Sequence, residues 1–175
     1  MKAPRIETEQ YILRPYIRAD AVLMQVWDVD PEVQSHMPEP VNVPQDIDEQ
    51  YAYITECEVD PHGYYWAIET KEGETIGTVA LTDVNAHHKI ADLGIMIGDK
   101  KFWGKGVATE VVSTLVQYAF QNLGLERVSA EVEIGNIPMR KVFERVGFER
   151  DGEFKSARVK NGARITVLHF GIVLP

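Results

Sequence analysis

One cysteine, Cys57, in 175 residues leaves nothing for an internal disulfide to pair with. A disulfide-stapled secreted domain is therefore excluded, and a reducing compartment is expected. No uninterrupted apolar run approaches the roughly 20 residues that a membrane helix needs, so no membrane is expected as partner. The opening Met1-Lys2-Ala3-Pro4-Arg5-Ile6-Glu7 lacks the apolar core of a secretion signal, which makes a cytoplasmic location the expectation. Basic residues are missing over a long stretch. From Ala19 to Thr70 there is no Lys or Arg, against twelve acids: Asp20, Asp28, Asp30, Glu32, Glu39, Asp46, Asp48, Glu49, Glu56, Glu58, Asp60 and Glu69. Residues 71–175 hold fourteen bases and thirteen acids, so nearly all of the net charge of −9 sits in that first third. Such a segment repels phosphate, which argues against a nucleic-acid partner. It favours a cationic one, such as an amine, through electrostatic steering; a solvated acidic face that aids solubility is the alternative. The histidines are His36, His62, His87, His88 and His169, and His87-His88 reads as a loop without metal-ligand spacing, so no metal is expected.

What is present suits one folded domain. Apolar residues make up 45% and charged residues 26%, ordinary for a globular protein of this length. Tyr11 to Tyr16 reads as a first strand ended by Pro15. Asp20 is expected to cap a short helix from Ala21 to Trp27. Pro31, Pro38, Pro40 and Pro44 predict a long irregular connection. Asp46 with Glu49 has the form of a capping box leading into a helix over Gln50 to Ile54. Tyr64 to Glu69 and Thr75 to Thr82 read as a hairpin around Lys71 to Glu74, and Ile90 to Ile97 as a further apolar strand. Val107, Val111, Leu115, Ala119 and Leu123 recur at helical spacing, with Val112, Val116 and Phe120 widening the stripe into a buried face that Gly124 terminates. Arg127 to Ile134 alternates as a strand does. Asn136-Ile137-Pro138 starts a short helix with Val142, Phe143 and Val146 on its face and Gly147 at its end. Phe148 onward and Arg164 to Val173 close the chain as two strands around Asn161-Gly162. The order is mixed α/β, with helices between parallel strands in the middle and hairpins at the ends.

One stretch points to a ligand: Lys101-Phe102-Trp103-Gly104-Lys105-Gly106-Val107-Ala108-Thr109. Two glycines one residue apart, between a strand and a helix, allow main chain to approach something closely. A helix N-terminus offers unpaired N–H groups and a partial positive charge, a ready seat for phosphate. A dinucleotide fingerprint needs a third glycine and a following acid at a strand end, and a Walker loop needs Gly-x-x-x-x-Gly-Lys-Ser/Thr; both are missing.

The segment Lys101-Phe102-Trp103-Gly104-Lys105-Gly106 resembles the pyrophosphate-binding Gln/Arg-x-x-Gly-x-Gly/Ala signature of the GNAT N-acyltransferases. Asn136 followed by Arg140-Lys141-Val142-Phe143-Glu144-Arg145-Val146-Gly147-Phe148 resembles that family's second motif: an asparagine, a short helix, then Gly-Phe. The opening Ile6 to Pro15 resembles the first strand of the branch that acetylates ribosomal-protein N-termini. The resemblance spans the whole chain. It implies a single α/β domain over residues 1–175, with a mixed, mostly antiparallel sheet of about seven strands, helices on both faces and a central parallel pair that splays apart. It implies acetyl-CoA as co-substrate. Main chain at Ile95-Met96-Ile97 would pair with the pantetheine arm, Phe102 to Thr109 would hold the pyrophosphate, Lys101 and Lys105 would add charge, Asn136 would bond the pantetheine or a water, and Lys141 would reach the nucleotide end. A homodimer is in keeping with that branch.

The implied reaction is attack of a neutral primary amine on a thioester, which requires a base for the amine's proton. Glu133, near the end of the strand before Asn136, and Asp92, on the strand before the glycine loop, are the candidates; each reads equally as an acid on a polar strand face. Acceptors range from a protein N-terminus to a polyamine, an aminoglycoside-like amine or an amino sugar. Met139, Phe143 and Thr166 depart from the family pattern, standing where Ser, Tyr and Asp are frequent, so the usual general acid is not evident. Those departures keep open a non-catalytic acyl-CoA-binding module or partner subunit on the same fold.

Overall fold

A computed structural model describes residues 3–38 and 46–174. Among them the strands are β1 (Ile6–Glu7), β2 (Tyr11–Pro15), β3 (Tyr64–Thr70), β4 (Thr75–Asn85), β5 (Ile90–Ile97), β6 (Arg127–Glu133), β7 (Glu149–Lys160) and β8 (Ala163–Val173). The helices are α1 (Asp20–Asp28), α2 (Ile47–Val59), α3 (Val107–Gln121) and α4 (Ile137–Val146). Short 3-10 turns lie at Val33–His36 and Lys100–Phe102.

The strands form one sheet in the order β1-β2-β3-β4-β5-β6-β8-β7. β5 and β6 run parallel and every other neighbouring pair is antiparallel. The two-residue β1, paired with Leu13 and Ile12, brings the sheet to eight strands rather than about seven. The β5–β6 pairing covers Ile90↔Arg127, Ala91↔Val128 and Asp92↔Ser129, and then stops. Beyond Asp92 both strands continue, one to Ile97 and the other to Glu133, without pairing to each other. This is the expected splay.

Helices cover both faces. Side chains of a strand alternate sides, so Trp66 and Ile68 of β3 join Val111, Val112, Leu115 and Ala119 of α3 in one cluster. Ala67 joins Met24 and Trp27 of α1 with Ile54 and Cys57 of α2 on the opposite face. Phe143 of α4 packs at a tilt against Phe148 and Phe170 and anchors α4 to the first cluster.

Three local expectations change. Asp20 does not cap α1, whose N-cap is Ala19 without a side-chain bond. Its carboxylate is buried, 3% exposed, and takes both ends of the Arg14 guanidinium at 2.8 Å while accepting from Ile17 N. Tertiary pairing outcompeted the local cap, because a buried carboxylate is costly unless charge and hydrogen bonds both meet it. The second helix begins at Ile47, with Asp46 capping Asp48 N and Glu49 N, and runs on to Val59. The connection after α1 contains the 3-10 turn at Val33–His36; its Pro40 and Pro44 lie outside the described residues. Among the described residues no helix is long and apolar enough to cross a membrane.

Candidate active site

The splay of β5 from β6 opens a cleft of about 470 Å³. One wall is the end of β5, Ile95, Met96 and Ile97. The floor is the glycine loop and first turn of α3, through Phe102, Trp103, Gly104, Gly106, Val107, Ala108 and Thr109. The far wall is the start of α4, with Asn136, Pro138, Met139, Lys141, Val142 and Arg145. A third side comes from the acidic segment, through Glu32, Val33, Ser35, His36 and Met37.

The loop leaves its main chain open. Gly104 and Gly106 hold φ of +72° and +87°, a region that side-chain-bearing residues rarely adopt. A Cβ built at either meets no protein atom within 4 Å, so the space over the main chain is open to a ligand. Gly106 is the N-cap of α3 and no side chain caps that end. The first N–H groups of the helix are thus left for a bound group, with the helix dipole behind them. Trp103 Nε1 donates to Ile97 O at 2.8 Å, which fixes the loop to the end of β5.

Asn136 caps α4: its Oδ1 accepts from Met139 N at 3.1 Å. The side-chain amide N–H groups remain as donors for a ligand. Lys141 and Arg145, one helical turn apart on α4, place two cations on the same wall. Arg145 was not singled out from the sequence. Lys101 and Lys105 stand off the cleft wall. Lys101 is 79% exposed beside Asp99, and Lys105 Nζ lies 5.3 Å from the centre of the Phe102 ring.

An ion-pair clip joins the two sides. Lys100, just before the loop, reaches Asp30 at 2.8 Å and Glu32 at 2.6 Å. These bonds hold the Asp30 carboxyl below its ordinary range and raise the Lys100 ammonium. The clip ties the turn that carries His36 to the loop that would carry phosphate.

The two expected bases separate. Asp92 sits at the last paired position of the splay, four residues before Met96 and about 13 Å along the strand. Burial, then the charges of Asp83 and Glu131, raise its carboxyl above the ordinary range. Glu133 is 6% exposed and does not line the cleft. Its Oε1 takes Lys160 Nζ at 3.1 Å, and its Oε2 lies 3.6 Å from Nδ1 of His36. Sequence reasoning missed His36, whose ring is 41% exposed and lines the cleft. Phe143, where a thiolate-protonating tyrosine is frequent, is buried within the aromatic cluster, and Met139 lines the cleft without a proton to give.

Known proteins share both the sequence and the fold of this chain. Residues 10–149 match the family described as acetyltransferase (GNAT) domain. The uncharacterized N-acetyltransferase p20 of Bacillus licheniformis is 31% identical over 169 residues, which is 95% of this chain and 94% of that protein. The fold superposes on spermidine N-acetyltransferase from Vibrio cholerae in complex with CoA and spermine, with a TM-score of 0.86 over 94% of this chain and 95% of that one at 23% identity. It also superposes on the microcin C7 self-immunity acetyltransferase MccE in complex with acetyl-CoA and AMP, with a TM-score of 0.81, 20% identity and coverage of 95% and 93%. A glycine loop at an uncapped helix start, a strand that splays from its neighbour and a family match over most of the sequence lead to one conclusion: the chain belongs to the GNAT acetyltransferases, enzymes that move an acetyl group from acetyl-CoA to an amine.

Proposed function

We propose that the acceptor is a small cationic amine or a peptide N-terminus, and that it approaches from the sheet face opposite α3. The observation that carries this reading is the distribution of acids on that face. Alternation places Asp92 and Met96 of β5 on one side, and Glu131 and Glu133 of β6 on the same side. Asp83 and Glu131 are close enough to raise the Asp92 carboxyl, so a bound cation there would relieve like-charge repulsion. The exposed side of α2 adds Asp48, Glu56 and Glu58 without a basic residue in the helix. Much of the acidity is consumed internally: Asp20 and Glu69 hold Arg14, Asp28 accepts from Gln50, Asp60 accepts from Tyr65, Asp30 and Glu32 hold Lys100, Glu131 pairs with Arg158 and His169, and Glu133 pairs with Lys160, which leaves Asp92 with its neighbour Asp83 to attract a cation on that face.

Acetyl-CoA would enter from the other side. The main chain of Ile95, Met96 and Ile97 would pair with the pantetheine arm as an added strand. The N–H groups of Gly104 and of Gly106 to Thr109 would hold the pyrophosphate, with Asn136 donating to the arm and Lys141 and Arg145 facing the nucleotide phosphates. A main-chain N–H of β5 would stabilise the thioester oxygen as it gains charge. The spermidine acetyltransferase that shares this fold carries spermine, a polyamine, which supports the cationic class. The resemblance of Ile6 to Pro15 to ribosomal N-terminal acetyltransferases keeps a peptide N-terminus beside it. The lone Cys57 favours a cytoplasmic site of action.

The test is thiol release from acetyl-CoA with mass-spectrometric product analysis over cationic, neutral and anionic amines. Acetylation of cationic members first is the expected outcome. Acetylation confined to neutral or anionic members contradicts the acceptor class.

A further inference from the structure

We infer that His36 takes the proton of the acceptor ammonium, and that Glu133 is the residue that sets its ring for this task. The inference rests on the acetyl-transfer reading and adds the base that it lacks. Glu133 cannot itself reach an amine in the cleft. It is 6% exposed, and each carboxylate oxygen already faces a partner, Lys160 on one side and His36 on the other. The imidazole, by contrast, forms part of the cleft wall.

Position supports the assignment. His36 stands against the turn between β6 and α4, where a Cβ built on Gly135 would lie 3.8 Å from His36 Cε1. The next residue is Asn136, on the opposite side of the splay from Met96. The ring therefore stands beyond the end of β6, where it lines the same cleft as Met96 of β5 and Asn136 of α4. Its carrier turn is tied to the glycine loop by Lys100 through Asp30 and Glu32.

The nearest carboxylate would set the tautomer. A carboxylate 3.6 Å from Nδ1 favours a proton on that nitrogen and leaves the Nε2 lone pair to accept one. Lys160 completes the arrangement: Nζ donates to Met37 O at 2.6 Å, next to His36, and to Glu133 Oε1. The charged groups around the ring are Glu133 and Lys160 behind it, Glu32 on its own turn and already paired, and Lys141 and Arg145 across the cleft on α4. In the reaction the ammonium gives one proton to Nε2 of His36. The free amine then attacks the thioester carbon, the N–C bond forms and the C–S bond breaks. The second N–H proton ends on the departing thiolate, and His36 returns its proton to water.

Two readouts test this. The first is nitrogen NMR of the histidine rings, with His36→Gln to assign its signal. Wild type is expected to show the Nδ1–H tautomer for His36, and Glu133→Gln to lose that preference. A dominant Nε2–H tautomer in wild type overturns the inference whatever the activity. The second is kinetics with acetyl-CoA and spermidine, a lysine-initiated peptide and glucosamine as acceptors. His36→Gln is expected to lower kcat about 10²-fold or more at neutral pH, to abolish the acidic limb of the pH profile, and to leave the CoA Kd unchanged. Glu133→Gln, with Glu133→Gln/Lys160→Met to remove the stranded lysine, is expected to lower kcat less and to shift that limb. A kcat within threefold of wild type for His36→Gln, with the limb retained, overturns the role. If all three acceptors stay unmodified while CoA binds, the acceptor class fails, and the tautomer still decides the placement of His36.

Discussion

The indole of Trp27 lies against the main chain at Gly98, so closely that a Cβ built on Gly98 would fall 2.0 Å from Trp27 Cδ2. Trp27 belongs to α1, on the sheet face opposite α3, and Gly98 follows the last residue of β5, which lines the cleft. The contact sets the depth at which the acidic third of the chain packs on β5.

A Gly98→Ala substitution must therefore displace the indole. Overpacking of this kind costs about 1–3 kcal/mol, and the expected fall in Tm is several degrees. In a Trp27→Ala background the same substitution should cost almost nothing. Thermal unfolding of the two single variants and the double variant checks the coupling; additive losses would show that the two residues are independent.

Gly106 predicts a different split between stability and binding. Its φ of +87° makes an alanine there strained by about 1–2 kcal/mol. The added methyl also enters the open space above the loop, where phosphate is expected. Gly106→Ala should thus raise the CoA Kd about tenfold or more while the protein stays folded. Titration calorimetry with CoA, beside a melting curve, separates the two effects.

Asp92 tests the acidic face. Burial and its acidic neighbours already disfavour the Asp92 charge, so Asp92→Asn should not lower stability. It should raise KM for spermidine about two- to fivefold at low salt, the scale of an exposed ion pair. The difference from wild type should shrink as salt screens the charge. CoA affinity should not change. A fall in stability would mark Asp92 as a structural residue instead.

Cys57 gives a pH prediction. Burial, offset in part by Tyr53, pushes its thiol up to about 11. The folded state therefore holds that proton more tightly than the unfolded chain. The stabilising contribution is complete below about pH 8.5, the ordinary thiol value, and is lost as pH rises toward the folded value. Denaturant unfolding from pH 8 to 11 should show a declining stability, with a shallower decline in Cys57→Ala. Alkylation of the native protein at pH 8 should be slow, and should become fast once denaturant is added.

The sheet, the two central helices and most of the residues along two walls of the cleft could be read before folding, because each is written locally. The stripe from Val107 to Leu123, the paired glycines and the Asn136-to-Phe148 spacing keep their meaning without a tertiary partner. The Asp46 cap was legible for the same reason. Asp20 was misread because the rule for caps knows nothing of Arg14, which reaches it from β2. His36 was invisible because its role depends on Glu133 and on Lys160, which come from β6 and the end of β7. A histidine in a proline-rich connection gives no periodic signal. The splay that brings these segments together is a property of the sheet as a whole, set by where β5 stops pairing with β6.

The most direct measurement is a crystal structure with CoA and an acceptor amine from the panel. The expected density places the pantetheine arm along Ile95 to Ile97, the pyrophosphate on the N–H groups of Gly104 and of Gly106 to Thr109, and the amine nitrogen between the thiol and His36 on the Met96 face. A pyrophosphate bound away from the start of α3, or an amine entering from the α3 face, would contradict it.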